Sequence, residues 1–138
     1  MRSEKGQAAV EFALVLPILL MLIFGIIDFG RILYTKNALT ALSQESARHM
    51  SIYYVSDGTN GTVLSTYVSS HPGTLTTTAF QKSDNSSGIQ ISPTTITTGS
   101  EVNVTLTYKI YYITPFVNMI PGLTNPFYIT SSSTFRAE

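Results

Sequence analysis

The chain has no cysteine. That excludes a disulfide framework, a thiolate metal site and a cysteine nucleophile. It leaves the compartment open, because a cysteine-free chain suits either side of a membrane. Charge is scarce too: charged residues make up 12% of the sequence and the formal net charge is zero. No basic stripe or charged tail points to nucleic acid, which is not expected as a dedicated ligand. His49 and His71 stand alone, without HxxxH or HExxH spacing, so no metal site is expected. Serines abound, yet there is no GxSxG, no Ser/His/Asp set, no Walker loop and no GxGxxG. Neither catalytic residues nor a cofactor are expected, and the chain does not read as an enzyme. The sequons at Asn60, Asn85 and Asn103 read as chance matches in a Ser/Thr-rich stretch.

What the sequence does contain is one long apolar run. From Phe12 to Ile27 there is no charge. Counted from Ala8 the stretch is about 20 residues, enough to cross roughly 30 Å of hydrocarbon as a helix. The leader before it is short and mildly basic, Arg2 and Lys5 against Glu4, like the n-region of a secretory signal. The run is longer than a usual signal core, however, and no small-x-small cleavage site follows it. A retained anchor is therefore expected rather than a cleaved signal peptide. Arg2 and Lys5 place the N-terminus in the cytoplasm and the C-terminal part outside. Arg31 and Lys36 weaken that orientation, but Asp28 and the short leader do not reverse it. One acid, Glu11, stands inside the anchor. At a bilayer centre a carboxylate costs about 2.5–3.5 kcal/mol on insertion scales, and less near an interface.

The helix is expected to continue past the membrane. From Ile32 to Tyr53 there is no proline or glycine, and Ile32, Leu39, Leu42, Ser46, Met50 and Tyr53 fall close to one face. Asp28–Arg31 and Glu45–Arg48 are i,i+3 pairs of opposite charge. A helix from Ala8 to about Met50 is roughly 65 Å long, so a stalk projects from the membrane. Asp57-Gly58 and Asn60-Gly61 end it with turn chemistry. Beyond residue 56 the chain is rich in Ser, Thr, Asn and Tyr and reads as β. Val102, Val104, Leu106, Tyr108, Ile110 and Tyr112 alternate with polar residues as a half-buried antiparallel strand. Ile89–Ile91, Thr94–Thr98 and Phe127–Phe135 are further β-prone runs, Thr74–Phe80 is a weaker one, and Gly99-Ser100 suits a hairpin turn. Pro115, Pro121-Gly122 and Pro126 break up an apolar connector holding Phe116, Val117, Met119, Ile120 and Leu123. Tyr108, Tyr111, Tyr112 and Tyr128 read as strand residues filling a small core, with an adhesive or carbohydrate-binding aromatic patch as the alternative. The expected fold class is α+β: a long N-terminal helix, membrane-spanning and then protruding, packed on a small C-terminal antiparallel sheet.

The segment Gly6-Gln7-Ala8-Ala9-Val10-Glu11-Phe12 has the layout of a class III, type IV pilin-like signal. Extended through Ala13-Leu14-Val15-Leu16-Pro17, Phe24-Gly25 and Asp28-Phe29-Gly30-Arg31, it closely resembles the TadE-like family, pilin-like subunits of tight-adherence pilus systems. The resemblance covers about residues 6–48, and Ile129–Glu138 is similar to the family's usual ending. It implies a pilin-like fold and three segments: a prepilin leader at 1–6, a transmembrane helix and stalk at 7–55, and an extracytoplasmic β-rich domain at 56–138. It implies cleavage by a prepilin peptidase after Gly6, freeing the α-amine of Gln7, and assembly with other pilin-like subunits and the inner-membrane pilus platform. The protein is then expected in the inner membrane as a single-pass subunit in contact with lipid.

Within that resemblance Glu11 is expected to dock against the Gln7 amine of a neighbouring subunit. Opposite charges at about 4 Å attract by about 4 kcal/mol at an effective dielectric of 20, and desolvation takes back part of this. The plainer reading of Glu11 is a first-turn carboxylate near the cytoplasmic headgroups. Pro17 is open between a tolerated kink and a local melt used on extraction. Gly25 and Gly30 read as close-packing positions, and Asp28 with Arg31 as an interfacial salt bridge or a subunit contact. Three functions are carried forward: a minor pilin or pseudopilin, a major filament subunit, and a membrane-tethered extracytoplasmic binding module.

Overall fold

In this computed structural model the backbone is described for residues 2–115 and 117–138, and side chains for 6–115 and 117–138. The leader side chains of Arg2, Glu4 and Lys5, and the connector's Phe116, lie outside the described residues. Helix α1 runs Arg2–Ile52, 51 residues, or about 76 Å at 1.5 Å per residue. Its two halves behave differently. No residue from Gly6 to Ile27 is buried, and burial begins at Asp28. Beyond it the buried positions recur at Thr35, Leu39, Leu42, Ser43, Ser46, Ala47 and Met50, the three-and-four spacing of one helix face. Tyr53 falls outside that face and is exposed.

That face packs on a three-stranded antiparallel sheet of order β1-β2-β3, formed by β1 Ile89–Ser92, β2 Glu101–Ile110 and β3 Phe127–Arg136. The alternation on β2 has its expected outcome: Val102, Val104, Leu106 and Ile110 are buried in the core on the side where β2 packs on α1. Tyr112 lies past the strand's end, and Tyr111 is exposed instead of filling the core. Thr94–Thr98 forms no strand, and Thr74–Phe80 holds only a short 3-10 turn, Thr77–Ala79. Small side chains line the contact between α1 and β3. Ser43 Oγ donates to Thr40 O at 2.9 Å and lies 3.1 and 2.9 Å from the hydroxyls of Ser131 and Ser133.

A second helix, α2 Asn60–Ser70, follows the stalk where turns alone were expected. It buries Asn60, Leu64 and Val68 at i,i+4 spacing and packs on both α1 and β1. Asn60 holds its start in place. Its Oδ1 accepts the Val55 amide at 2.8 Å, and its Nδ2 donates to the carbonyls of Val55 at 2.6 Å and Thr94 at 2.7 Å. Close backbone approach explains Gly88. A Cβ there would collide with the Thr107 carbonyl oxygen and lie 2.7 Å from the Gln81 amide nitrogen. At the other end of the sheet, Ala137 N bonds Ser100 O at 2.8 Å and Glu138 N bonds Ser51 O at 3.1 Å, joining the strand end to the stalk.

Candidate functional site

The expected site residues all lie on α1, but the structure divides them into two groups. Gly6, Gln7 and Glu11 belong to the exposed apolar half. Around Glu11, Val10 is 62% and Phe12 63% exposed. Among the described residues Glu11 has no ion-pair partner within the chain. An acid on a bare apolar helix is costly in lipid unless another group reaches it. The helix itself is long and apolar enough to cross a membrane, and none of its most apolar stretch is buried.

Pro17 lies within α1 and the helix runs on through it. A helical proline supplies no amide for the carbonyl four residues earlier, here that of Ala13. Pro17 also lines an apolar groove of about 220 Å³ with Leu16, Leu20, Met21, Phe24, Thr114 and Pro115. The helix is thus accompanied at this level by the segment that joins β2 to β3. Gly25 and Gly30 have open space where a Cβ would stand, so neither supports a close approach within the chain.

Asp28 and Arg31 form the second group. Asp28 is only 5% exposed, and its carboxylate is held by the chain beyond β2. The Ile113 amide donates to Oδ1 at 2.9 Å and Oδ2 at 3.1 Å, while the Thr114 amide at 2.9 Å and hydroxyl at 2.6 Å both reach Oδ2. Arg31 adds a longer contact. Its Nη1 is 3.5 Å from Asp28 Oδ1 and donates to Tyr111 O at 3.2 Å. The expected i,i+3 pair is therefore present, yet most of the carboxylate's partners lie 85 or more residues away in sequence. Sequence reasoning missed Ile113 and Thr114 as partners, since nothing in the connector's sequence marks which helix it returns to. Glu45 and Arg48 do not form the other expected ion pair; Glu45 Oε1 accepts the Tyr67 hydroxyl at 2.9 Å.

A histidine and tyrosine stack joins the stalk to α2. The His49 ring lies between Tyr53 at 4.9 Å and Tyr67 at 4.0 Å, and Tyr67 stacks on His71 at 4.8 Å. His49 Nδ1 is buried without a hydrogen-bond partner. Burial, then the nearby His71, holds the His49 imidazole below the usual histidine range, and Glu45 opposes this only in part. Among the described residues no group of His, Cys, Asp and Glu is arranged to hold a metal.

No curated protein and no solved structure matches the chain. The family model described as TadE-like protein matches residues 6–48, so the segment that carries Gly6, Glu11, Pro17, Asp28 and Arg31 is TadE-like.

Proposed function

We propose that the protein is a minor pilin or pseudopilin, a non-enzymatic structural subunit that helps assemble or initiate a Tad-type pilus used in surface adherence. The observation that carries this reading is the TadE-like match laid over a helix whose first half is bare and apolar and holds Glu11 five residues after Gly6. A helix exposed in this way needs lipid before assembly and other helices after it. Cleavage after Gly6 by a prepilin peptidase frees the Gln7 amine, and Glu11 of one subunit then docks on that amine of the next. Charge pairing in a low-dielectric bundle sets register more than stability. The subunit is held in the inner membrane with its leader in the cytoplasm and its sheet outside, and it meets the assembly platform through the helix.

The test is mass spectrometry of the N-terminus in cells with and without a prepilin peptidase. The expected mature chain begins at Gln7 only when the peptidase is present. An intact leader in peptidase-positive cells that assemble pili refutes the processing step. Glu11→Ala is expected to insert and be cleaved but to assemble poorly; normal piliation would count against the docking role.

A further inference from the structure

The connector between β2 and β3, residues 111–126, is as free of charge as the helix run it lies beside. No Asp, Glu, Lys or Arg occurs between Lys109 and Arg136. Ile113, Met119, Ile120 and Leu123 are exposed, Met119 by 78%. The connector's level along α1 is fixed by the bonds from Ile113 and Thr114 to Asp28, one residue past the end of the apolar run. From there the Thr114-Pro115 corner shares its groove with Leu16, Leu20 and Phe24, so it lies alongside the run from about its middle to near its end. With Ile27 as the end of the run, Phe24 and Leu20 lie about 5 and 10 Å inside it at 1.5 Å per residue, and Leu16, at the groove's far end, about 16 Å. The first two are depths at which an interfacial element rests between headgroups and acyl chains.

Irregular backbone is excluded from hydrocarbon chiefly by its unpaired amides. Here many of those amides are already paired or missing. The amides of Ile113 and Thr114 are taken by Asp28, and Pro115, Pro121 and Pro126 have none. Val117 N, Ile120 N and Leu123 N bond the carbonyls of Thr114, Val117 and Ile120 at 3.4, 3.1 and 3.2 Å. Tyr111 and Tyr112 open the connector and Tyr128 follows it, with Lys109 and the half-exposed Arg31 at its mouth. Tyrosines and long cations are the side chains suited to a membrane–water interface.

We propose that the connector 111–126 inserts into the leaflet on the C-terminal side of the span, so that lipid covers Ile113, Met119, Ile120 and Leu123. The molecule then holds the bilayer through a helix and a loop clamped to it by Asp28. This rests on the reading of residues 8–27 as a membrane anchor. The absence of cysteine allows a direct test with single-cysteine variants of the full chain, Met119→Cys, Leu19→Cys and Ser69→Cys. Each is labelled with an environment-sensitive fluorophore in vesicles of phosphatidylethanolamine and phosphatidylglycerol, at copy numbers too low for subunits to meet. The label at 119 is expected to be quenched several-fold less by aqueous iodide than the label at 69, and to be quenched by lipids brominated near the headgroup. Iodide access at 119 equal to that at 69, with the label at 19 still quenched by lipid, overturns the proposal and leaves the anchor intact. Iodide access at 19 as well removes the anchor and the proposal together. Protection at 119 that arises only when copies are crowded assigns the surface to another subunit and overturns the lipid proposal.

Discussion

Replacing Asp28 should release the connector while leaving the helix in place. In Asp28→Asn one carboxylate oxygen becomes an amide nitrogen. If the remaining oxygen takes the Oδ2 position, it keeps the Thr114 amide and hydroxyl, which lie 2.9 and 2.6 Å away. The new nitrogen then faces the Arg31 guanidinium, donor against donor, and the Ile113 amide loses its 2.9 Å acceptor and keeps only the retained oxygen at 3.1 Å. Hydrogen bonds to a charged group contribute about 1.5–3 kcal/mol each, so the net loss is about 2–3 kcal/mol. That is roughly a 30- to 150-fold rise in local opening. Asp28→Ala removes every bond and leaves the Ile113 and Thr114 donors without their part-buried acceptor, at a cost of about 3–5 kcal/mol. Thr114→Val removes a single bond, for about 1–2 kcal/mol. Arg31→Met should matter least. Its contact is 3.5 Å long with the guanidinium side 43% exposed, and such pairs contribute about 0–1 kcal/mol. Hydrogen exchange at the amides of Ile113 and Thr114, in detergent micelles at constant pH, measures all four variants. The expected order of acceleration is Asp28→Ala, Asp28→Asn, Thr114→Val, Arg31→Met. If Arg31→Met accelerates exchange as much as Asp28→Asn, the ion pair and not the amide bonds holds the connector, and the reasoning fails.

Asn60→Ala should destabilise the packed part of the chain by about 2–4 kcal/mol, because it removes the buried partner of the Val55 amide and of the carbonyls of Val55 and Thr94. A fall in the thermal midpoint of the full chain in micelles, followed by circular dichroism at the tyrosine band, checks it. Gly88→Ala should cost about 1–3 kcal/mol through overpacking on the Thr107 carbonyl, whereas Gly61→Ala, which meets nothing, should be near neutral in the same melt. The depressed pKa of His49 has a definite sign. The folded state binds fewer protons than the unfolded one, so its stabilisation is complete above the unfolded value near 6.5 and is lost as pH falls through the folded value. The midpoint should therefore drop between pH 7 and pH 5, and His49→Phe, which keeps a ring in the stack, should flatten that slope.

The elements that could be read from sequence are those in which one physical demand dominates several residues in a row. The charge-free run ending at Ile27 demands a helix, and the alternation from Val102 to Ile110 demands a strand with one buried face. Helix α2 offered weaker information. Its Ser, Thr and Val residues have poor helix propensity, and only the i,i+4 recurrence of Asn60, Leu64 and Val68 marked its buried face. Turn-forming Asn60-Gly61 masked its start, since the asparagine spends its amide on Val55 and Thr94 instead of ending a segment. The pairing of Asp28 with Arg31 was legible because it is local. Its stronger partners were not, because an apolar connector with three prolines carries no periodicity to say which helix it returns to. Glu45 likewise took a tyrosine from α2 that i,i+3 spacing gives no reason to expect.

The serine seam between α1 and β3 also has a consequence for the order in which the protein is made. Ser43 meets Ser131 and Ser133 across 88 and 90 residues of chain. The stalk's inner face therefore has no complete partner until the last strand has been synthesised, long after the helix has emerged. Contacts this distant in sequence fold slowly, because the intervening loop must be closed before they form. During that interval Leu39, Leu42 and Met50 lack their complete cover, and the hydroxyls spaced among them make the nascent stripe less apolar and so less prone to wrong contacts.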